Sequence, residues 1–193
     1  MPNICAHMIV AKEVGKKIGI NSDDYYRGNV LPDVISDMDS HHRIQGDIFQ
    51  VPDVKWFIDK LNLDDEEQIG YLVHLLLDKH YLEDYLSKYF KNAEIFANKK
   101  IYHDYDAINH DLVERFNLDV SYLSKILSRF KRTDILHDKL KYNIECLNQN
   151  INEKPVYLDI DSFSNFLLNI SDVIYKELME YVNKYRKLHV HTR

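Results

Sequence analysis

The chain is poor in the residues that punctuate a backbone. Its 193 residues include only 5 glycines and 4 prolines, few for a fold made of tight turns, so long helices are expected rather than many short strands. The 2 cysteines, Cys5 and Cys146, exclude a disulfide framework. No apolar run reaches the roughly 18–20 residues needed to span a bilayer. The first residues, MPNICAHMIVAKEVGKK, put their charges after a short apolar segment, the reverse of a secretory signal. A cytoplasmic location is therefore expected. Positive charge is also lacking: the formal net charge is -6 at pH 7, which leaves no general basic footprint for nucleic acid, and no stable nucleic-acid partner is expected.

Histidine and tyrosine are plentiful, at 10 and 14 residues. Seven of the histidines fall between residues 7 and 110, which is where any chemistry should lie. Helical periodicity runs through most of the chain. Ala11, Val14 and Ile18 form a stripe over Ile4–Ile18 that also carries His7, and Gly19 is a natural stop. Residues 20–50, with Gly28, Pro32 and Gly46, read mainly as loop. Pro52 and Asp53 open a short helix over VKWFIDKL. Asp64 and Asp65 precede a long helix from about Glu66 to Phe90, and residues 91–103 read as a connection. Further helices are expected over Asp104–Phe116, Val120–Phe130 and Asp134–Leu147. A last one runs over Asp161–Arg186, with a stripe of Phe163, Phe166, Leu167, Ile170, Val173, Ile174, Leu178 and Tyr181. Val156–Ile160 suits either a short strand or the approach to that helix. The pattern predicts an all-α fold, a single-domain helical bundle over residues 1–193, with the chemistry within 1–110 and the C-terminal helices in 119–187.

The long helix carries an anomaly. In GYLVHLLLDKHY, residues 70–81, Gly70, His74 and Asp78 are spaced i, i+4, i+8 and share one face, while Ile69, Leu72, Val73, Leu75, Leu76 and Leu77 make the rest apolar. A buried carboxylate is costly unless it is paired or bound to a metal. An imidazole and a carboxylate one turn apart can reach one cation; a hydrogen-bonded core pair is the competing account. Gly70 leaves room on that face for another group. His80, turned by roughly 240° from His74, should face elsewhere.

Partners for this stripe can be sought at other misplaced polar groups. His7 lies on the apolar face of the first helix, where a lone core histidine is the simpler explanation. In YYRGNVLPDVISDMDSHHR, Gly28 and Pro32 suggest a turn that presents Asp33, with Asp39, His41, His42 and Arg43 close behind. Of the adjacent histidines, at most one should point inward. In IYHDYDAINHDL, Asp104 shares a face with Ile108 and Leu112, either as an inward carboxylate or as a helix N-cap. Asp106 is a second candidate if the helix starts later.

Taken in order, these motifs form a recognisable series. They are His7 in an H-apolar-apolar helix, G-x-x-x-P-D at Gly28–Asp33, S-H-x-R at Ser40–Arg43, G-Y-L-x-H-x-x-x-D at Gly70–Asp78 and Y-x-D-Y-D at Tyr102–Asp106. The series resembles the zinc-dependent phospholipase C family in its shorter intracellular bacterial form, over roughly residues 1–110. The resemblance implies an all-α fold with up to three zinc ions. His7 and Asp33 would hold one metal, and His41, His74 and Asp78 another, with Asp78 able to bridge. Asp104 and Asp106, with His80 or His103, would stand in for the remaining ligands. A His and Asp donor set suits Zn, and also Fe or Mn. The implied activity is metal-dependent phosphoester hydrolysis, with Asp33 as general base and ligand. Arg43 is either a group for a phosphate oxygen or a solvated surface arginine. The implied substrate is a phospholipid head group or a small soluble phosphoester. Two alternatives stand beside it. One is an HD-type nucleotide phosphohydrolase using His103–Asp104, His110–Asp111 or His137–Asp138. The other is a non-enzymatic helical protein in which the same groups are a structural metal site.

Overall fold

The computed structural model describes residues 2–35, 40–89, 100–129, 135–147, 149 and 154–189. The expected helix boundaries at Phe90, Phe130 and Asp134, and the candidate Asp39, lie outside the described residues. The fold is all-α with one small hairpin. No helix among the described residues is long and apolar enough to cross a membrane.

Helix α1 (Ile4–Ile18) is capped by the Asn3 side chain, which accepts from the Ala6 amide, and it ends at Gly19 in the left-handed region at φ 74°. Glycine is suited to that stop because it carries no Cβ. Helix α2 (Asp23–Val34) occupies a segment expected to be loop. Ser22 caps it, Asp23 and Asp24 complement the positive end of its dipole, and Tyr26, Val30 and Val34 bury one side at i, i+4, i+8 spacing. Pro32 sits in its last turn, where it costs one hydrogen bond, to the carbonyl four residues back, without ending the helix. Gly28 and Pro32 therefore do not form the expected turn.

Strands β1 (Arg43–Gln45) and β2 (Gln50–Pro52) form an antiparallel hairpin that pairs Arg43 with Pro52. Helix α3 (Val54–Ile58) follows, capped by Asp53. Helix α4 (Glu66–His80), capped by Asp65, is the central element. It packs against α1, α2, α3 and β2, and Leu72, Val73, Leu75, Leu76 and Leu77 are fully buried. It continues through a π-helical turn, Tyr81–Leu86, into α5 (Ser87–Tyr89). Helices α6 (Lys100–Arg115), α7 (Ser121–Ser128), α8 (Ile135–Leu147) and α9 (Ile160–His189) follow among the described residues. On α9, Phe163, Leu167, Ile170, Ile174 and Leu178 are buried, but Val173 is exposed, because the inward stripe passes beside it to Val182. Val156–Ile160 is not a strand: it leads into α9.

The crossing of α2 and α4 positions the site. A Cβ at Gly28 would collide with the backbone of Glu67, and a Cβ at Gly70 with the backbone carbonyl of Tyr25. The room that Gly70 leaves on the His74 face is thus filled by the main chain of α2.

Candidate metal centre

Five side chains from distant parts of the sequence meet beside that crossing. His7 comes from α1, Asp33 from the last turn of α2, and His74 and Asp78 from successive turns of α4. His41 comes from the segment before β1. His7, His74 and Asp78 are completely buried, His41 is nearly so, and the Asp33 side chain is 19% exposed, the most open of the five.

Their donor atoms converge closely. The Nε2 of His41 lies 3.2 Å from the Nε2 of His74. Asp78 Oδ2 is 3.2 Å from His41 Nε2 and 3.6 Å from His74 Nε2. Asp78 Oδ1 is 3.3 Å from His7 Nε2. Two ligands about 2.0–2.1 Å from a tetrahedral zinc are about 3.3 Å apart, so these spacings fit the edges of one coordination shell. Asp33 is farther out, with its oxygens 3.8–3.9 Å from the three histidine nitrogens. Among the described residues, His7 with His74 and Asp78, and Asp33 with His41 and His74, satisfy metal-ligand spacing. His74 belongs to both groups. The sets that the resemblance implies are also close, His41, His74 and Asp78 at 3.2–3.6 Å and His7 at 3.9 Å from Asp33.

Hydrogen bonding among the described residues does not account for the cluster. Among them, both ring nitrogens of His7 and both carboxylate oxygens of Asp78 are buried without a hydrogen-bond partner. Leaving such a group unpaired costs about 1–3 kcal/mol. A cation among the five donors would engage His7 Nε2 and the Asp78 oxygens at once, so the residues fit a divalent metal.

The outer contacts differ between the three histidines. The Nδ1 of His74 lies 2.7 Å from the backbone carbonyl of Asn29. A carbonyl can only accept, so Nδ1 carries the proton and Nε2 is left to the cluster. The Nδ1 of His41 lies 2.9 Å from Ser40 Oγ, and His7 has no such contact among the described residues. The His7 and His74 rings stack with centroids 3.7 Å apart. Burial, reinforced by His74, lowers the pKa of His7. Burial opposes protonation of His74 as well, but Asp33 and Asp78 outweigh it and raise its pKa. Burial would push the Asp78 carboxyl up, yet His74, His41 and His7 hold it well below the usual carboxylate range.

The other expected site residues lie elsewhere. Asp104 is buried on the inward face of α6, beside Ile108 and Leu112, as its spacing predicts. Its oxygens, however, are taken by backbone amides, from Val156 at 2.9 and 3.0 Å, from Leu158 at 2.8 Å and from Tyr157. It organises the approach to α9, lies outside the donor groups found among the described residues, and sits inside its own helix rather than at the N-cap. Asp106 lies outside the donor set and lines a cavity of about 400 Å³ with Asp33, Tyr102, Tyr105 and Tyr142. Burial raises its pKa. Arg43 lies on β1, and its charge, with those of Asp33 and Asp78, acts on the Tyr102 phenol.

His80 turns away from His74, as expected, and bonds Asp84 at 2.6 Å and Glu177 at 2.9 Å. The side chain of His103 is 49% exposed. A His-x-x-x-Glu pair, His110 and Glu114, also lies on α6, 3.5 Å apart and outside the donor set. None of the three His-Asp dipeptides contributes to the two donor triads found among the described residues. Two contributors carried no local signal. They are the Asn29 carbonyl and Tyr71, whose hydroxyl donates to the carbonyl of Ser40.

Comparisons with protein-family models, with curated proteins and with solved structures find no match to this chain.

Proposed function

We propose that the five-residue cluster binds a divalent cation, Zn or else Fe or Mn, and that the protein uses it to hydrolyse a phosphoester. The observation that carries this reading is the set of buried, unpartnered atoms of His7 and Asp78 amid three converging histidine nitrogens. A bound metal would lower the pKa of water towards about 7 and neutralise charge on a phosphoryl group.

In this reading the chain's own groups divide the work. His7, His41, His74 and Asp78 supply the donor shell. Asp33, longer in its distances and more open to solvent, accepts the proton of the attacking water. The water oxygen forms the new bond to phosphorus, and the alcohol oxygen leaves with its electron pair and takes up a proton. Arg43 is the cation assigned to a phosphoryl oxygen. The cavity that Asp33 shares with Asp106 and Tyr102 receives the rest of the substrate, a small soluble phosphoester or a phospholipid head group. Its two carboxylates argue against a polyanion. The motif order shared with zinc-dependent phospholipases C supports the same chemistry, and a cytoplasmic setting belongs to the proposal.

One observation favours a second reading. Three histidines and Asp78 are enough protein donors to close a zinc shell, as in structural sites. Metal analysis of untagged protein, joined to a screen of chromogenic phosphomonoesters and phosphodiesters, separates the two. Bound metal with turnover that Asp33→Asn removes supports the hydrolase. Bound metal with no turnover on any ester leaves the structural ion. Folded protein that stays metal-free after addition of Zn or Mn ends both.

A further inference from the structure

Four of the five donors ride on helices, and His41 does not. A ligand on an irregular segment needs its own restraint, because nothing in helix geometry fixes its ring. The segment Ser40–His42 is held at three points. The hydroxyl of Tyr71, on α4 between Gly70 and His74, donates to the Ser40 carbonyl and ties the segment to the helix that carries His74 and Asp78. Ser40 Oγ lies 2.9 Å from His41 Nδ1, and both residues are buried. Beyond them, His42 adopts a positive φ of 32° and stacks on Trp56 at 4.1 Å between centroids, while its carbonyl accepts from the Asp53 amide at 2.9 Å. That backbone turn separates the two adjacent histidines, one facing the cluster and the other Trp56.

We propose that Ser40 and Tyr71 are positioning residues for His41. Ser40 Oγ accepts a hydrogen bond from the His41 Nδ1–H, which leaves the Nε2 lone pair directed at the position shared with His74 and Asp78. Tyr71 holds Ser40 in place to do so. Ser40 thus does for His41 what the Asn29 carbonyl does for His74, but through a side chain that substitution can remove. The inference rests on the metal-site reading above and gives the serine of S-H-x-R a physical task.

The test uses full-length, metal-free protein titrated with Zn²⁺ or Co²⁺ against a chromophoric chelator. Ser40→Ala and Tyr71→Phe are expected to weaken binding about 10–100-fold. Ser40→Thr, which keeps the hydroxyl, restores it, and the melting temperatures of the metal-free variants match the parent. Unchanged affinity in both variants overturns the proposal. So does a loss of affinity that follows a fall in melting temperature and that threonine does not rescue. If the parent protein binds no metal, the metal reading fails, and ¹⁵N NMR of the metal-free protein judges Ser40 separately. A His41 protonated at Nδ1 that loses this tautomer in Ser40→Ala supports the positioning role. A His41 without it, or one unaffected by the substitution, overturns it.

Discussion

Asp78 and Asp104 are both aspartates on the inward faces of helices, both completely buried, and they behave in opposite ways. Asp104 is saturated: backbone amides from three successive residues, Val156 to Leu158, fill its oxygens. Asp78 accepts no hydrogen bond among the described residues and faces imidazoles that approach it to 3.2–3.6 Å. Burial of a carboxylate is therefore no sign of function by itself. What separates architecture from chemistry is whether the fold spends its own donors on the group.

Substitution should expose this contrast. Asp78→Ala is expected to have the largest effect, weakening metal binding by more than about 100-fold, measured by elemental analysis and chelator competition. Asp104→Ala should leave metal binding intact and lower the unfolding free energy by about 3 kcal/mol, read from urea denaturation, because it strands the amides of Val156–Leu158. Equal metal loss in both variants would break the distinction.

His80 supplies an intermediate case, a charged partner satisfied within the fold. Burial works against its protonation, but bonds to Glu177 and Asp84 outweigh this and raise its pKa above the ordinary 6.5. A raised histidine pKa gives stability that is complete below 6.5 and is lost as pH rises through the folded value. His80→Gln should therefore remove about 1 kcal/mol at pH 6 and flatten the decline above neutrality, as followed by thermal melts across pH. The smallest effect is expected of His103→Gln, within about 0.5 kcal/mol and with metal content unchanged. A large loss of metal there would favour the HD-type alternative.

The part of the site that local periodicity could reveal was legible in the sequence. His74 and Asp78 share a face because they are one turn apart, and His7 lies on a stripe that must be buried. Asp33 was picked out through a Gly28–Pro32 turn that the fold does not form, and the choice of His41 over His42 came from the order of motifs. Asp104 marks the limit of the method: its face was readable, but its partners lie some 50 residues away at Val156–Leu158, and no local pattern reports them. Helix α2 was missed because Gly28 and Pro32 outweighed the Ser22 cap and the Tyr26, Val30, Val34 stripe. In the fold, Gly28 serves contact with α4 and Pro32 is tolerated in the last turn. The hairpin was missed because strands of 3 residues are too short to show an alternating pattern.

The glycine crossing of α2 and α4 has a consequence for how such a centre can change. Where two main chains touch, their separation does not depend on the size of any side chain, so the frame that carries Asp33 and the Asn29 carbonyl opposite His74 and Asp78 behaves as a fixed gauge. Donors can be exchanged within that gauge, imidazole for carboxylate or thiolate, without re-spacing the helices. In the metal-site reading proposed above, a chain that keeps Gly28 and Gly70 keeps the frame while its donor set changes.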